Sequence, residues 1–348
     1  MIRILYRRTL ASLIPLLGVF AALACEGRRA EEIVVLHTGD SYGYFEDCGC
    51  MGDSTGGLAK RAWMVDSLRR STESPILLVD AGDFTGGENA YGAALGRVLV
   101  ESMEVMGYDA FTLGEWDLNH GVAYVRSIVE ESPIAWVHTN YEIAGLEDFG
   151  HKTLVVEKGG RRIGLVGLLN PTLQLSYLIR DSVAVDEDVV GVTERAVAEL
   201  RREGVDAVVV ISHLGYRGDR TLAGLVPGID LIVSGHGGKT LAGPEAVDEN
   251  TWIVAAGDLG RFLGMARLSL DDRGDEPALV REASGEVLSL VPSIPDDPRL
   301  TPIFQQYEEE RQALMRREID ARRPPRYFQP PAVPLEGGAT GRLETSGS

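Results

Sequence analysis

Five short motifs, each closing an apolar run, constrain this chain more than any other feature: Gly39-Asp40, Gly82-Asp83, Gly114-Glu115, Ser212-His213 and Gly235-His236. The runs before them are Ile33–Leu36, Ile76–Val79, Ala110–Leu113, Ala207–Ile211 and Leu231–Val233, and unbroken apolar runs of this kind read as buried strands. Each delivers a carboxylate or an imidazole to its C-terminal end, where an open α/β sheet places its ligands. Three carboxylates and two imidazoles brought together there form a donor set for one or two divalent cations. The order thus predicts an α/β fold with a metal site built from Asp40, Asp83, Glu115, His213 and His236.

Between the runs lie helical patterns. Residues 55–70 enter a helix with Leu58, Ala62, Val65 and Leu68 on one face, 91–106 form a second that Gly107 ends, and 192–203 a third that Gly204 ends. Strands alternating with helices to about residue 270 predict a mainly parallel sheet. Residues 264–290 alternate apolar and polar as a closing hairpin does, and the charged stretch 297–321 reads as helix. The division that follows is a domain over 33–290, a helical segment over 291–321, and a disordered Pro/Gly/Ser-rich tail over 322–348.

The N-terminus reads as a targeting signal over residues 1–24. Arg3, Arg7 and Arg8 precede an apolar stretch from Leu10 to Ala24, too short to span a bilayer but suited to secretion. It ends in Ala22-Leu23-Ala24-Cys25, which resembles a bacterial lipobox with Ala22 in the usual Leu position. Cys25 is the expected lipidation site, residues 25–32 a spacer, and the chain an exported lipoprotein of the periplasm or cell envelope. The competing reading is an ordinary signal peptide, or an uncleaved anchor, with Cys25 incidental. Cys48 and Cys50 then remain, either as a strained disulfide across one glycine or as two thiolate ligands. A net charge of −18 excludes binding of nucleic acid through a basic patch.

In their order, Leu36-His37-Thr38-Gly39-Asp40, Val79-Asp80-Ala81-Gly82-Asp83, Leu113-Gly114-Glu115, Ile211-Ser212-His213-Leu214-Gly215 and Ser234-Gly235-His236-Gly237 resemble the calcineurin-like metallophosphoesterases. They are most similar to the catalytic domain of the periplasmic 5′-nucleotidase and UDP-sugar hydrolase group. Residues 256–264 look like that group's closing segment near the phosphate pocket, and the resemblance covers roughly residues 31–290. It implies a sandwich of two mixed sheets flanked by helices, two metals at the strand ends, and hydrolysis of a small phosphoester. Asp40 would ligate the first metal and Asp83 bridge both, with Glu115 (where the family usually has Asn), His213 and His236 completing the second. No counterpart of the group's C-terminal specificity domain is expected in residues 291–348, which read as a helix and a tail.

The departures from the family are specific. Tyr42 stands in place of the first motif's His, Trp116 in place of the imidazole that contacts phosphate, and Gly238 in place of a last ligand. The first metal thus loses two ligands while the second keeps its set. Cys48 and Cys50 are candidates to refill the depleted position, which would favour zinc or iron over manganese or magnesium. Cys-Gly-Cys with Gly56-Gly57 also resembles an exported branch of the superfamily. His120 is a candidate catalytic imidazole beside Asp83, and Asn140 and Arg261 are candidates to bind substrate. His37 reads as a buried hydrogen-bonding partner, Asp80 as a group that orients its neighbours, and His138 as site lining. Two functions follow: an exported metal-dependent phosphoesterase using one or two ions (zinc, iron or manganese), weakened by its lost ligands, or a non-catalytic metal-binding or redox accessory lipoprotein.

Overall fold

The structure, a computed structural model, describes residues 31–46, 55–87, 90–271, 273–274 and 276–322. The leader, Cys25, Cys48, Cys50 and the tail beyond residue 322 lie outside the described residues. Among the described residues no helix is long and apolar enough to cross a membrane.

The first half of the chain runs β1 (Glu32–Thr38), α1 (Leu58–Ser71), β2 (Ile76–Asp80), α2 (Ala90–Met106), β3 (Ala110–Phe111), α3 (Glu115–Leu118), α4 (Val122–Glu131) and β4 (Ala135–Trp136). Next come β5 (Tyr141–Ile143), β6 (Thr153–Lys158), β7 (Arg161–Leu169), β8 (Val183–Val185), α5 (Val189–Arg202), β9 (Ala207–His213), α6 (Tyr216–Leu225) and β10 (Leu231–Ser234). The chain closes with β11 (Glu245–Ala246), β12 (Trp252–Val254), β13 (Phe262–Leu270), β14 (Val280–Ser289) and α7 (Thr301–Arg322).

Two six-stranded mixed sheets result, ordered β14-β13-β1-β2-β3-β4 and β11-β12-β10-β9-β7-β6, with β5 and β8 paired apart. In the first sheet β1 to β4 are parallel, with β13 and then β14 added antiparallel at one edge; in the second, β12, β10, β9 and β7 are parallel between antiparallel β11 and β6. The apolar runs explain the layering. Ile33, Val35, Leu77 and Val79 of one sheet meet Ile163, Leu165, Val209, Ile211 and Val233 of the other in a shared core. The residues between them point outward. Val34, Leu36 and Leu78 pack under α1, α2 and α4, while Val208, Val210 and Ile232 pack under α5 and α6. Each such side chain, fully buried, contributes about 1.5–3 kcal/mol. The expected sandwich of two mixed sheets flanked by helices is the fold observed.

Two elements are shorter than the sequence predicts. β3 pairs only at Ala110 and Phe111, because Thr112 and Leu113 turn toward the buried Tyr141 hydroxyl, each 3.1 Å from it. The last helix begins at Thr301 rather than at 297, after a 3-10 turn that the Asp297 carboxylate caps by accepting from the Arg299 amide at 2.9 Å.

Candidate metal centre

The strand ends converge from both sheets. Asp40, Asp83 and Glu115 follow β1, β2 and β3 of one sheet; His213 ends β9 and His236 follows β10 of the other. One ligand atom each from Asp83, Glu115, His213 and His236 lie within 4.8 Å of one another. Donors bound at about 2.0–2.3 Å on opposite sides of one ion would stand about that far apart.

The loops that hold these groups are strained. Among the described residues, the non-glycine residues with positive φ are Asp40, Tyr42, Asp83, His236 and Leu259. Asp40, Asp83 and His236 lie in the motifs, Tyr42 follows the first by two residues, and Leu259 donates its amide to the Asp40 carbonyl at 2.8 Å. Such conformations cost on the order of 1–3 kcal/mol each and concentrate at functional sites. Adjacent loops lock together: Asp40 N–H donates to Gly82 O at 2.9 Å and Tyr42 N–H to Asp83 O at 2.8 Å. Gly114 allows the close approach of Glu115, since a Cβ there would lie 2.1 Å from Asp83 Oδ1 and 2.6 Å from the His213 ring.

Each ligand's spare valence is fixed by a neighbour. His213 Nδ1 lies 2.7 Å from the Ala81 carbonyl, which can only accept, so Nδ1 carries a proton and Nε2 faces the centre. Asp83 Oδ1 accepts from Trp116 N–H at 2.9 Å. Asp83 Oδ2 and His236 Nδ1, both buried, make no hydrogen bond. Orphaned buried polar atoms are rare enough to require an explanation, and a cation between them supplies one. The residues therefore fit a single divalent ion bound through two carboxylates and two imidazoles.

Without that ion, protons carry the charge. His213 Nε2 lies 2.9 Å from Glu115 Oε2 and 3.3 Å from Asp83 Oδ2. Burial pushes its pKa down, but the nearby Asp83 charge and the hydrogen bond to Glu115 raise it well above the ordinary value. Burial pushes Glu115 up, and the flanking His213 and His236 more than reverse this, holding it far below the usual carboxylate range. His236 is raised by Glu115 beside it.

Other predicted residues stand elsewhere. Asp40 accepts from His236 N–H at 2.9 Å through one oxygen and from Gly238 N–H at 2.7 Å through the other. Its contact with the site is thus through the backbone that carries His236. Asn140, expected at the substrate, has its amide engaged with the Leu169 backbone in both directions at 2.8 Å. Arg261 is paired with Asp258 and stacked on Phe262. His120 packs on the Tyr124 ring at 4.7 Å with Nε2 unbonded, and among the described residues no hydrogen bond or ion pair links it to the four ligands.

His37 is buried, with its pKa lowered to about 3 by burial, and its Nδ1 makes no hydrogen bond, unlike the partner expected from sequence. His138 bridges the carbonyls of Tyr141 and Phe149 at 3.0 and 3.1 Å, a packing role. Asp80 accepts from Thr38 Oγ1 at 2.6 Å and from Gly82 N–H at 2.9 Å, and so orients the turn before Asp83.

The residue that sequence reasoning missed is Asp117. Fully buried, it accepts from the amides of Asp83 at 2.7 Å, Gly114 at 2.9 Å and Thr85 at 2.9 Å, and from Thr85 Oγ1 at 2.9 Å. It ties the Asp83 loop to the Glu115 loop. Burial, with Asp83 adding to it, pushes its pKa up to about 8. Its spacing from Glu115, two residues on in a four-residue helix, was the available signal.

Comparison with known proteins agrees with this geometry. Bovine (Bos taurus) 5′-nucleotidase is 27% identical over 82% of this chain and 54% of its own length. The trifunctional nucleotide phosphoesterase YfkN of Bacillus subtilis is 24% identical over 70% of this chain and 18% of its own. The crystal structure of the 5′-nucleotidase precursor from Thermus thermophilus superposes with a TM-score of 0.72 at 26% identity, covering 82% of this chain and 60% of that one. The chain thus spans about half the length of the bovine relative. Residues 33–237, more than half of the chain and every strand-end motif in it, match the calcineurin-like phosphoesterase family, to which this protein belongs.

Proposed function

We propose that this protein is a metal-dependent phosphoesterase acting on a small phosphoester, a nucleoside monophosphate being the foremost candidate. The observation that carries the reading is the convergence of Asp83, Glu115, His213 and His236, with two buried atoms left unbonded among them. These four residues would hold the ion. When bound, a divalent cation supplies Lewis-acid polarisation of a phosphoryl oxygen and activation of a water. The chain's own residues then set direction and limits. The Ala81 carbonyl fixes the His213 ring, and Asp40 holds the His236 backbone. Trp116, where an imidazole would serve as proton donor, offers only an indole N–H, and such a loss costs on the order of 10²–10⁴-fold in rate. Leaving groups that need a proton should therefore turn over more slowly than nitrophenolate. The relatives' names support a nucleotide substrate.

The test uses chelator-stripped protein with manganese(II) or zinc(II) returned. Hydrolysis of p-nitrophenyl phosphate is expected, slower hydrolysis of AMP, and loss of both in Asp83→Asn. Trp116→His is expected to raise the AMP rate. No metal-dependent turnover in wild type or in Trp116→His would move the reading to the accessory protein.

We further infer export and lipidation at Cys25, supported by Arg3, Arg7 and Arg8 ahead of the apolar stretch. Metabolic labelling with palmitate, lost in Cys25→Ser, tests the anchor.

A further inference from the structure

The resemblance implies two ions, but the described residues fit one. We infer that the centre is built for a single divalent ion, with Asp40 and Tyr42 closing the flank on which a second would sit. This deepens the metal-binding reading above and rests on the same four ligands.

A second ion a few ångströms from the first needs its own donors beyond any bridge it shares. On this flank the described chain offers Asp40, Tyr42 and Gly238. Both Asp40 oxygens are engaged with backbone amides, at 2.9 Å from His236 and 2.7 Å from Gly238, drawing the loop after β10 inward. Tyr42 sits two residues after Asp40 on the same loop, its amide donating to the Asp83 carbonyl at 2.8 Å. Its ring stands edge-on to Trp116, with centroids 6.0 Å apart, so the aromatic pair fills the wall. Where an imidazole would ligate, this side chain offers only a phenol, which is not among the usual donors to such ions.

Gly238 cannot be the missing donor through a side chain. Its φ is +65°, and a Cβ there would lie 2.6 Å from Asp258 Oδ2, which Arg261 pins in turn. Charge points the same way, because Asp83 and Glu115 together balance one divalent ion.

The experiment counts ions rather than turnover. Metal-stripped full-length chain, loaded with manganese(II) under reducing conditions and desalted, is expected to retain one ion and to give the six-line EPR spectrum of isolated Mn(II). Cys48→Ser/Cys50→Ser is expected to behave identically. Tyr42→His, at a φ of +48° that histidine tolerates, is expected to admit a second ion with an exchange-coupled spectrum. Two coupled ions in the wild type would overturn the inference. So would two that fall to one in the cysteine variant, which would place thiolates at the second site. A Tyr42→His chain that keeps one ion would remove Tyr42 as the closing group. A folded wild type that retains none would end the four-ligand reading itself, and this inference with it.

Discussion

Asp117 is where a single side chain has the largest structural consequence. It meets three backbone amides and one hydroxyl in a site with no access to water. Asp117→Ala would leave those donors buried and unpaired, at about 1–3 kcal/mol apiece before relaxation. Urea unfolding is expected to report a loss of roughly 3–5 kcal/mol, and Asp117→Asn a smaller one; an Ala variant within about 1 kcal/mol of wild type would remove it as the tie between the loops. The ligands themselves were legible in sequence because each follows a buried run by two to four residues. Asp117 was not, because an acid in a short helix looks the same whether it faces solvent or a neighbouring loop.

Asp80 carries a pH dependence of definite sign. Burial pushes its pKa from the ordinary 3.8 to about 6, against the opposing bond from Thr38. The folded state therefore holds this proton more tightly than the unfolded one. The contribution is fully present below about pH 4 and lost as pH rises through 6, an effect of up to about 3 kcal/mol. Asp80→Asn is expected to flatten the fall in stability between about pH 4 and 6 relative to wild type. A variant whose Tm tracks wild type across that window would show that Asp80 does not titrate there.

At the scale of elements, the alternation of apolar residues along β1, β2, β9 and β10 fixed which side chains face the shared core and which face the helices. The helical spacing between the runs, with Gly107 and Gly204 as stops, placed α1, α2 and α5 within three residues of where they form. What it could not reveal is close approach. β3 ends after two residues because Tyr141, distant in sequence, takes the polar groups of Thr112 and Leu113. The two amides that Asp40 accepts from could not be read from sequence, because a carboxylate after a strand is the same pattern whether it meets a cation, backbone amides or both. Gly114 belongs to the same class of hidden constraint. Gly114→Ala would press a methyl into Asp83 and His213, which are fixed by their own partners. Overpacking of this kind costs about 1–3 kcal/mol. Metal affinity measured by calorimetry is expected to drop about tenfold or more; unchanged affinity would mean that the β3 end can recede without disturbing the ligands.

For the molecule as a whole, the arrangement of the ligands matters more than any one of them. Asp83 and Glu115 come from one sheet, His213 and His236 from the other, so an ion held by all four fastens the two layers at their open end. The shared apolar core fastens them along the strands. Binding is therefore coupled to the stability of both sheets, and to proton release, because His213 must give up the proton that the carboxylates now favour. An ion at a hundredfold excess over its dissociation constant adds about 2.7 kcal/mol to the folded state. For a domain of this size that corresponds to a rise in Tm of about 4–5 °C. Scanning calorimetry with and without manganese(II) is expected to show that rise in a single transition at about pH 7.5, and a smaller one at about pH 5.5, where protons compete for His213. Asp83→Asn should abolish the difference. A metal-dependent shift confined to one of two resolved transitions would mean that the ion belongs to one layer and does not join them.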